Sequence, residues 1–335
     1  MAGQNGVSLK RKIQRLGASS LIVTLPKDWA RRNKVNVGDM LHIYDDGDKL
    51  IIAPENASLK VSLEFSLSHF SVEKHAPRIT LCTYVFGFDK ITFKSNKTIK
   101  DPVIDRIGRM EHLLPGTRVS VEEKQKIIVE LGEKDRDLLD LLVNYGRSIS
   151  RVLNRLSGFL EGKVHLTKED LDLEYNNLLQ LNYLLLRTAN SVKTTDIMEE
   201  RQAKYMVSAS NLIGIVNDSV YKFGLDLLYM IDYLKPSEKQ RLAFLLQILE
   251  VAVSTVVLSL EPPSVKKAEE SYWKVRSILD LEGNIREIVE NDTPAFTYLL
   301  AKIIDIARII DIAENVILCH ALITKFNETG KEEAQ

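Results

Sequence analysis

At 335 residues, with 45% hydrophobic and 27% charged residues and a formal net charge of −1, the chain has the composition of a soluble globular protein, with ample length for two to three domains. Its two cysteines, Cys82 and Cys319, are far apart and lack any CxxC spacing, which excludes a disulfide framework and a thiolate zinc site and points to the cytoplasm. Met1 to Val7 lacks an apolar core, so no signal peptide is expected.

The charge is unevenly spread. Between Met1 and Lys34 the cations Lys10, Arg11, Lys12, Arg15, Lys27, Arg31, Arg32 and Lys34 face a single anion, Asp28, the footprint of a protein that reads a phosphate backbone. Leu9 to Leu16 is half apolar and half basic, Gly17-Ala18-Ser19-Ser20 breaks it, and Leu21 to Leu25 predicts a buried strand. Pro26 suits the first turn of a helix over Lys27 to Asn33, with Thr24 as its cap. On that helix Lys27 and Arg31 share a face, and Asp28 and Arg32 are spaced for an ion pair. Val37-Gly38-Asp39 reads as a turn into a strand at Met40 to Tyr44, and Asp45-Asp46-Gly47-Asp48 as a hairpin into Leu50 to Ala53, closed by Pro54. So small a β unit buries too little apolar surface and leaves open strand edges, which predicts pairing with a second copy.

The ordered landmarks Gly17, Pro26, Arg31-Arg32, Val37-Gly38-Asp39 and the acidic hairpin resemble the AbrB/MazE-type swapped-hairpin domain. The resemblance implies two chains interleaved into one DNA-binding barrel. It puts the basic dipeptide of the short helix on Arg31 and Arg32 and the first-strand cation on Arg11 or Lys12. Ala18 follows the glycine where AbrB has a basic residue, and the Ser19-Ser20 spacing is closer to the MazE-type variant. Lys10, Arg11, Lys12, Arg15, Lys27, Arg31 and Arg32 are the candidate DNA-binding residues. A barrel that only dimerises, with a solvated basic face, accounts for the same residues.

From 56 to 133 the texture is mixed. Leu59 to Phe65 alternates as a strand, Arg78 to Phe88 is an apolar run that reads as either a strand or a buried helix, and Ile91 to Lys94 is a short strand. Asp101 to Leu113 has helical spacing, Pro115-Gly116 ends it, and Arg118 to Val121 with Ile127 to Leu131 makes a hairpin. His69, His75 and His112 are not spaced as metal ligands.

After Lys134 the pattern is helical: Leu138 to Leu160, Asp170 to Val192 behind a Thr167 cap, Ile197 to Tyr233, Ser237 to Leu260, Ser264 to about 288 after Pro262-Pro263, and Asp292 or Thr293 to Phe326. Leu242 to Leu260 is long enough to span a bilayer, but Gln247, Glu250, Ser254, Thr255 and Ser259 interrupt it, as in the central helix of a bundle. Three helices, a break at Lys235-Pro236-Ser237 and three helices again suggest an internal duplication. Ser210 to Gly224 and Ile304 to Leu318 match best, and they resemble the paired helices of PhoU-family proteins. Arg308, Asp311 and Asn315 match that pattern, but its first acid falls on Ala307. In the first unit the acid falls on Ile213, the Arg on Gly214, the Asp on Asn217 and the Asn on Tyr221.

The PhoU resemblance implies metal held by these acids, and the substitutions remove them. Asp305, Asp311 and Glu314 do not share one face, Asp305 lying roughly 120° round from Asp311. Asp311 therefore reads as the ion-pair partner of Arg308, the acid-poor helix pairs as ordinary bundle surface, and no metal or other cofactor is expected.

The expected protein is thus multidomain: a small all-β swapped-hairpin barrel (1–55), a small α/β connector (56–133), and an all-α PhoU-like bundle (134–335) of two three-helix repeats, about 134–234 and 235–327. In that order the pieces look like the archaeal phosphate-uptake regulators. No GxSxG, GxxxxGK[ST], GxGxxG after a strand or HExxH is present, and no enzymatic activity is expected. The expected function is a homodimeric transcriptional regulator of phosphate uptake that binds double-stranded DNA. Its helical half would sense a signal or dock on a phosphate-transport ATPase or sensor, without spanning a membrane. The alternative is an accessory protein that docks on such a transporter and uses the barrel only to dimerise. An antitoxin-like role is disfavoured, because Glu328 to Gln335 is short for a toxin-binding tail.

Overall fold

The structure, a computed structural model, describes residues 10–17, 20–45, 50–54, 62–132, 137–192, 197–259, 264–284 and 290–332. The chain forms two compact units, Met1–Leu59 and Lys60–Gln335.

The first unit holds two antiparallel hairpins around a short helix. β1 (Gln14–Leu16) pairs with β2 (Ser20–Ile22), Gln14 opposite Ile22, and Gly17 takes a φ of 69° at the turn, where a side chain would be strained. β3 (Leu41–Asp45) pairs with β4 (Leu50–Pro54), Leu41 opposite Pro54. Ala18, Ser19 and the expected acidic turn at Asp46-Gly47-Asp48 lie outside the described residues. α1 (Lys27–Arg32) begins at the expected residue and ends one short of Asn33; Pro26 takes the N-cap position, its carbonyl receiving the Ala30 N–H at 3.0 Å, so Thr24 stands outside the helix. The helix stops because Lys34 turns left-handed at φ 55°, letting the Lys34 and Val35 N–H groups reach back to the Arg31 and Ala30 carbonyls.

In the second unit, β5 (Ser62–Ser66), α2 (Phe70–Val85) and β6 (Lys90–Lys94) make a parallel strand pair with a helical crossover. After α3 (Asp101–Gly108) and α4 (Met110–Leu113), the hairpin β7 (Arg118–Glu122) and β8 (Lys126–Glu130) completes a sheet in the order β5-β6-β8-β7. The ambiguous run from Arg78 is the second half of α2, with Ala76, Thr80, Thr83 and Tyr84 buried at helical spacing. The helix expected over Asp101 to Leu113 is broken at Arg109, just after Gly108, a poor helix former.

Among the described residues six long helices follow: α5 (Leu138–Leu160), α6 (Lys168–Ser191), α7 (Ile197–Met230), α8 (Pro236–Leu258), α9 (Val265–Leu279) and α10 (Pro294–Glu332). Thr167 and Asp170 form the expected capping box on α6. α9 ends at Leu279 in a 3-10 turn, short of the expected 288, and Pro262-Pro263 lie outside the described residues. Packing is regular: α5 lies against α6 and α7, and the corresponding α8 lies against α9 and α10. α6 pairs with α7 as α9 does with α10, while α5–α8 and α7–α10 join the two sets. At the α5–α8 crossing a Cβ on Gly146 would sit 2.1 Å from Val257 Cγ2, so only glycine permits this approach. α8 is long and apolar enough to cross a membrane, yet half of its most apolar stretch is buried against its neighbours, including Leu242, Leu246, Leu249 and Val257.

A buried arginine that no local sequence signal points to ties the bundle to the sheet layer. Arg187 on α6 is 0% exposed. Its Nη1 donates to the carbonyls of Tyr84 (2.9 Å) and Phe88 (2.8 Å), its Nη2 to Leu131 (3.2 Å) and Gly132 (2.7 Å), and its Nε to Gly132 (3.0 Å). The guanidinium also stands 4.6 Å from the centre of the Tyr84 ring.

Candidate nucleic-acid interface

The structure places Lys10, Arg11 and Lys12 on the extended segment before β1, Arg15 on β1, and Lys27, Arg31 and Arg32 on α1; all seven are exposed. The ion pair on α1 differs from the expected one. Arg31, not Arg32, approaches Asp28, at 3.3 Å with both side chains largely in solvent. A pair so exposed contributes little and breaks readily, so it leaves Arg31 available to a phosphate. Helical geometry keeps Lys27 and Arg31 on one face.

Among the residues of the N-terminal unit whose side chains are described none is buried: Leu21, expected in a buried strand, is 68% exposed, Ile43 on β3 is 63% exposed, and Ile13, Leu16, Val23 and Leu50 are also in solvent. The second hairpin forms close to where the patterning predicts it, whereas the strand expected over Leu21 to Leu25 runs from Ser20 to Ile22 only, and its apolar side chains are exposed. Such apolar exposure on short strands marks an association surface.

A protein-family model of the bacterial antitoxin MazE, described as antidote-toxin recognition, matches residues 14–60. The N-terminal unit is therefore similar to a MazE/AbrB-type domain, and the match takes in Arg15, Lys27, Arg31 and Arg32 but begins after Lys10, Arg11 and Lys12. Neither a curated protein nor a solved structure matches the chain.

The candidate ligands on α7 and α10 fall elsewhere than expected. Arg308 binds Asp305 at 2.6 Å and Glu282 from the turn after α9, not Asp311, because Arg308 points outward at the helix edge. Nor are the acid-poor positions bundle surface: Ile213, Asn217 and Ala307 are buried in the core, since α7 and α10 pack along each other with these positions inward. Glu314, one turn after Asp311, is 2% exposed, and burial pushes its carboxyl up to about 7 against the opposing hydrogen bond from Ser271, the Asp311 charge adding to the rise. Oδ1 of Asp311, Oε2 of Glu314 and Nδ2 of Asn217 are buried without a hydrogen-bond partner. Among the described residues no three His, Cys, Asp or Glu side chains converge as for a metal, and His69, His75 and His112 are exposed.

Proposed function

We propose that this chain is a homodimeric transcriptional regulator of phosphate uptake that binds double-stranded DNA through its N-terminal unit and uses its helical half to sense a signal or to dock on a phosphate-transport ATPase or sensor. The observation that carries the DNA-binding reading is the concentration of seven exposed cations, Arg15, Lys27, Arg31 and Arg32 on the MazE-type segment and Lys10, Arg11 and Lys12 just before it. The PhoU-like part of the reading is supported by helix packing that repeats in chain order, α5-α6-α7 as α8-α9-α10.

Binding to duplex DNA should be steeply salt dependent. With six or more phosphates neutralised per dimer, affinity falls roughly 10³-fold or more between about 50 and 200 mM salt. Arg31→Ala with Arg32→Ala lowers affinity and flattens the salt slope by about one for each phosphate that is no longer neutralised. A gel-retardation series over these salts decides it. Absence of retardation at low salt would leave the docking reading, in which the barrel only dimerises.

Dimerisation is expected because none of the described apolar side chains of the N-terminal unit is buried. Light scattering of the full chain should give the mass of two copies, and Leu21→Asp should yield monomers, since a charge on that strand opposes apolar pairing. A monomeric parent protein removes the proposal. The MazE match favours one further reading, an antitoxin-like regulator, in which the partner is a toxin protein bound by the remainder of the chain.

A further inference from the structure

A cavity of about 680 Å³ in the second unit lies between α5, α6 and the loop at Pro115. Its polar wall carries Arg151, Asn154 and Arg155 from α5 and Asn177 from α6, and Leu178 and Leu181 supply an apolar wall. This combination of size, apolar surface and a few convergent polar groups is that of a small-molecule site.

The two arginines differ. Arg155 is held by Glu174 at 2.8 Å and Asp170 at 3.5 Å, so its position is set and its charge is balanced. Arg151 donates from Nη2 to the Ser148 hydroxyl at 2.7 Å, and among the described residues no carboxylate lies within ion-pair range of it. The lining therefore carries one arginine without a carboxylate partner among the described residues, a planar fork with most of its donors unused. The cavity is also tied to α4: Gln180, in the lining, donates to the His112 carbonyl at 2.7 Å.

We propose that this cavity binds a small organic anion, whose oxyanion group, carboxylate or phosphate, is taken by the Arg151 fork while its less polar body lies on Leu178 and Leu181. A guanidinium receives either oxyanion through two parallel N–H···O bonds, and the Asn154 and Asn177 amides fit hydroxyl or carbonyl groups on the body. The proposal concerns the helical half and stands whether or not the N-terminal unit binds DNA.

Titration calorimetry on the full chain tests it, with AMP and benzoate as phosphate and carboxylate probes of the required shape and adenosine as the uncharged control. At least one anion should bind saturably with a Kd below about 1 mM, and adenosine should not. Arg151 is exposed, so Arg151→Gln should fold normally. It should weaken binding at least tenfold, as expected when a charge-assisted pair of hydrogen bonds is removed. Arg151→Lys should restore only part of the affinity. The tighter of the two anions assigns the oxyanion. Failure of both anions to bind, an undiminished affinity in Arg151→Gln, or abolished binding in Arg31→Ala/Arg32→Ala instead, which would put the anion on the N-terminal unit, each overturns the proposal.

Discussion

Arg187→Ala should lower the stability of the second unit by about 3–5 kcal/mol, among the largest effects expected of any single substitution here. The change leaves the carbonyls of Phe88, Leu131 and Gly132 facing the void of a fully buried side chain, while that of Tyr84 keeps the Gly87 N–H at 2.9 Å, and each buried acceptor left without a donor costs on the order of 1–3 kcal/mol. Arg187→Lys should recover little, because an ammonium has three donors on a flexible stem and cannot span carbonyls set around a planar fork. Calorimetry should show the melting temperature falling by roughly 6–15 °C. It should also show the single transition broadening or splitting, because the carbonyls belong to the sheet and α2 while Arg187 belongs to α6. An unchanged single transition would mean that apolar contacts, such as that of Tyr183 with the sheet core, join sheet and bundle without Arg187.

Glu314→Gln should remove a pH dependence and stabilise the protein above neutrality. Ser271 Oγ lies within reach of both the Ala252 carbonyl, at 2.9 Å, and Glu314. With a single hydrogen, the hydroxyl can serve Ala252 only if Glu314 is protonated and donates to it. The walls of the small cavity beside Glu314 are otherwise apolar, including Ile149 on α5, Ile213 and Val216 on α7, Val253 and Val257 on α8, and Ile310 on α10. The charged group near it is Asp311, a like charge.

The folded-state pKa, about 7, lies above the ordinary glutamate value of 4.5 that the unfolded chain has. The folded state therefore holds the extra proton between those values. The contribution of Glu314 to stability is complete below about pH 4.5 and is lost as pH rises through 7, a drop of roughly 3 kcal/mol at about 1.4 kcal/mol per unit. Urea denaturation at pH 5 and pH 8 should show this drop in the parent protein and its absence in Glu314→Gln, whose amide can still donate to Ser271. Equal pH dependence in the two proteins would place the titrating group elsewhere.

Much of the architecture was legible because its causes are local. The six long helices follow from apolar spacing, and the Thr167–Asp170 box from two residues three apart. The hairpin strands follow from alternation and turn chemistry, and the basic N-terminal stretch from charge alone. Where two local readings were equally good, as for Arg78 to Phe88, only packing of α2 on the sheet chose the helix. The candidate DNA-binding cations were legible as residues, but not the choice of Asp28 between Arg31 and Arg32, since both lie within reach on a helix of less than two turns.

What the sequence determined by itself, then, is the order and kind of the elements and the place of the basic charge, because helix periodicity, caps and turns act over a few residues. The tertiary structure alone decided which polar side chains are enclosed. Arg187 sits in an apolar helical pattern and finds its acceptors 55 to 103 residues away; Arg308 finds Glu282 26 residues away. Asn217 and Glu314 turn inward because α7 and α10 pack face to face. Whether a polar side chain meets water or protein depends on the neighbouring element, and no local pattern specifies that neighbour. The same holds for the N-terminal unit, where Leu21, Ile43 and Leu50 stand on strands with sequences fit for burial and are exposed.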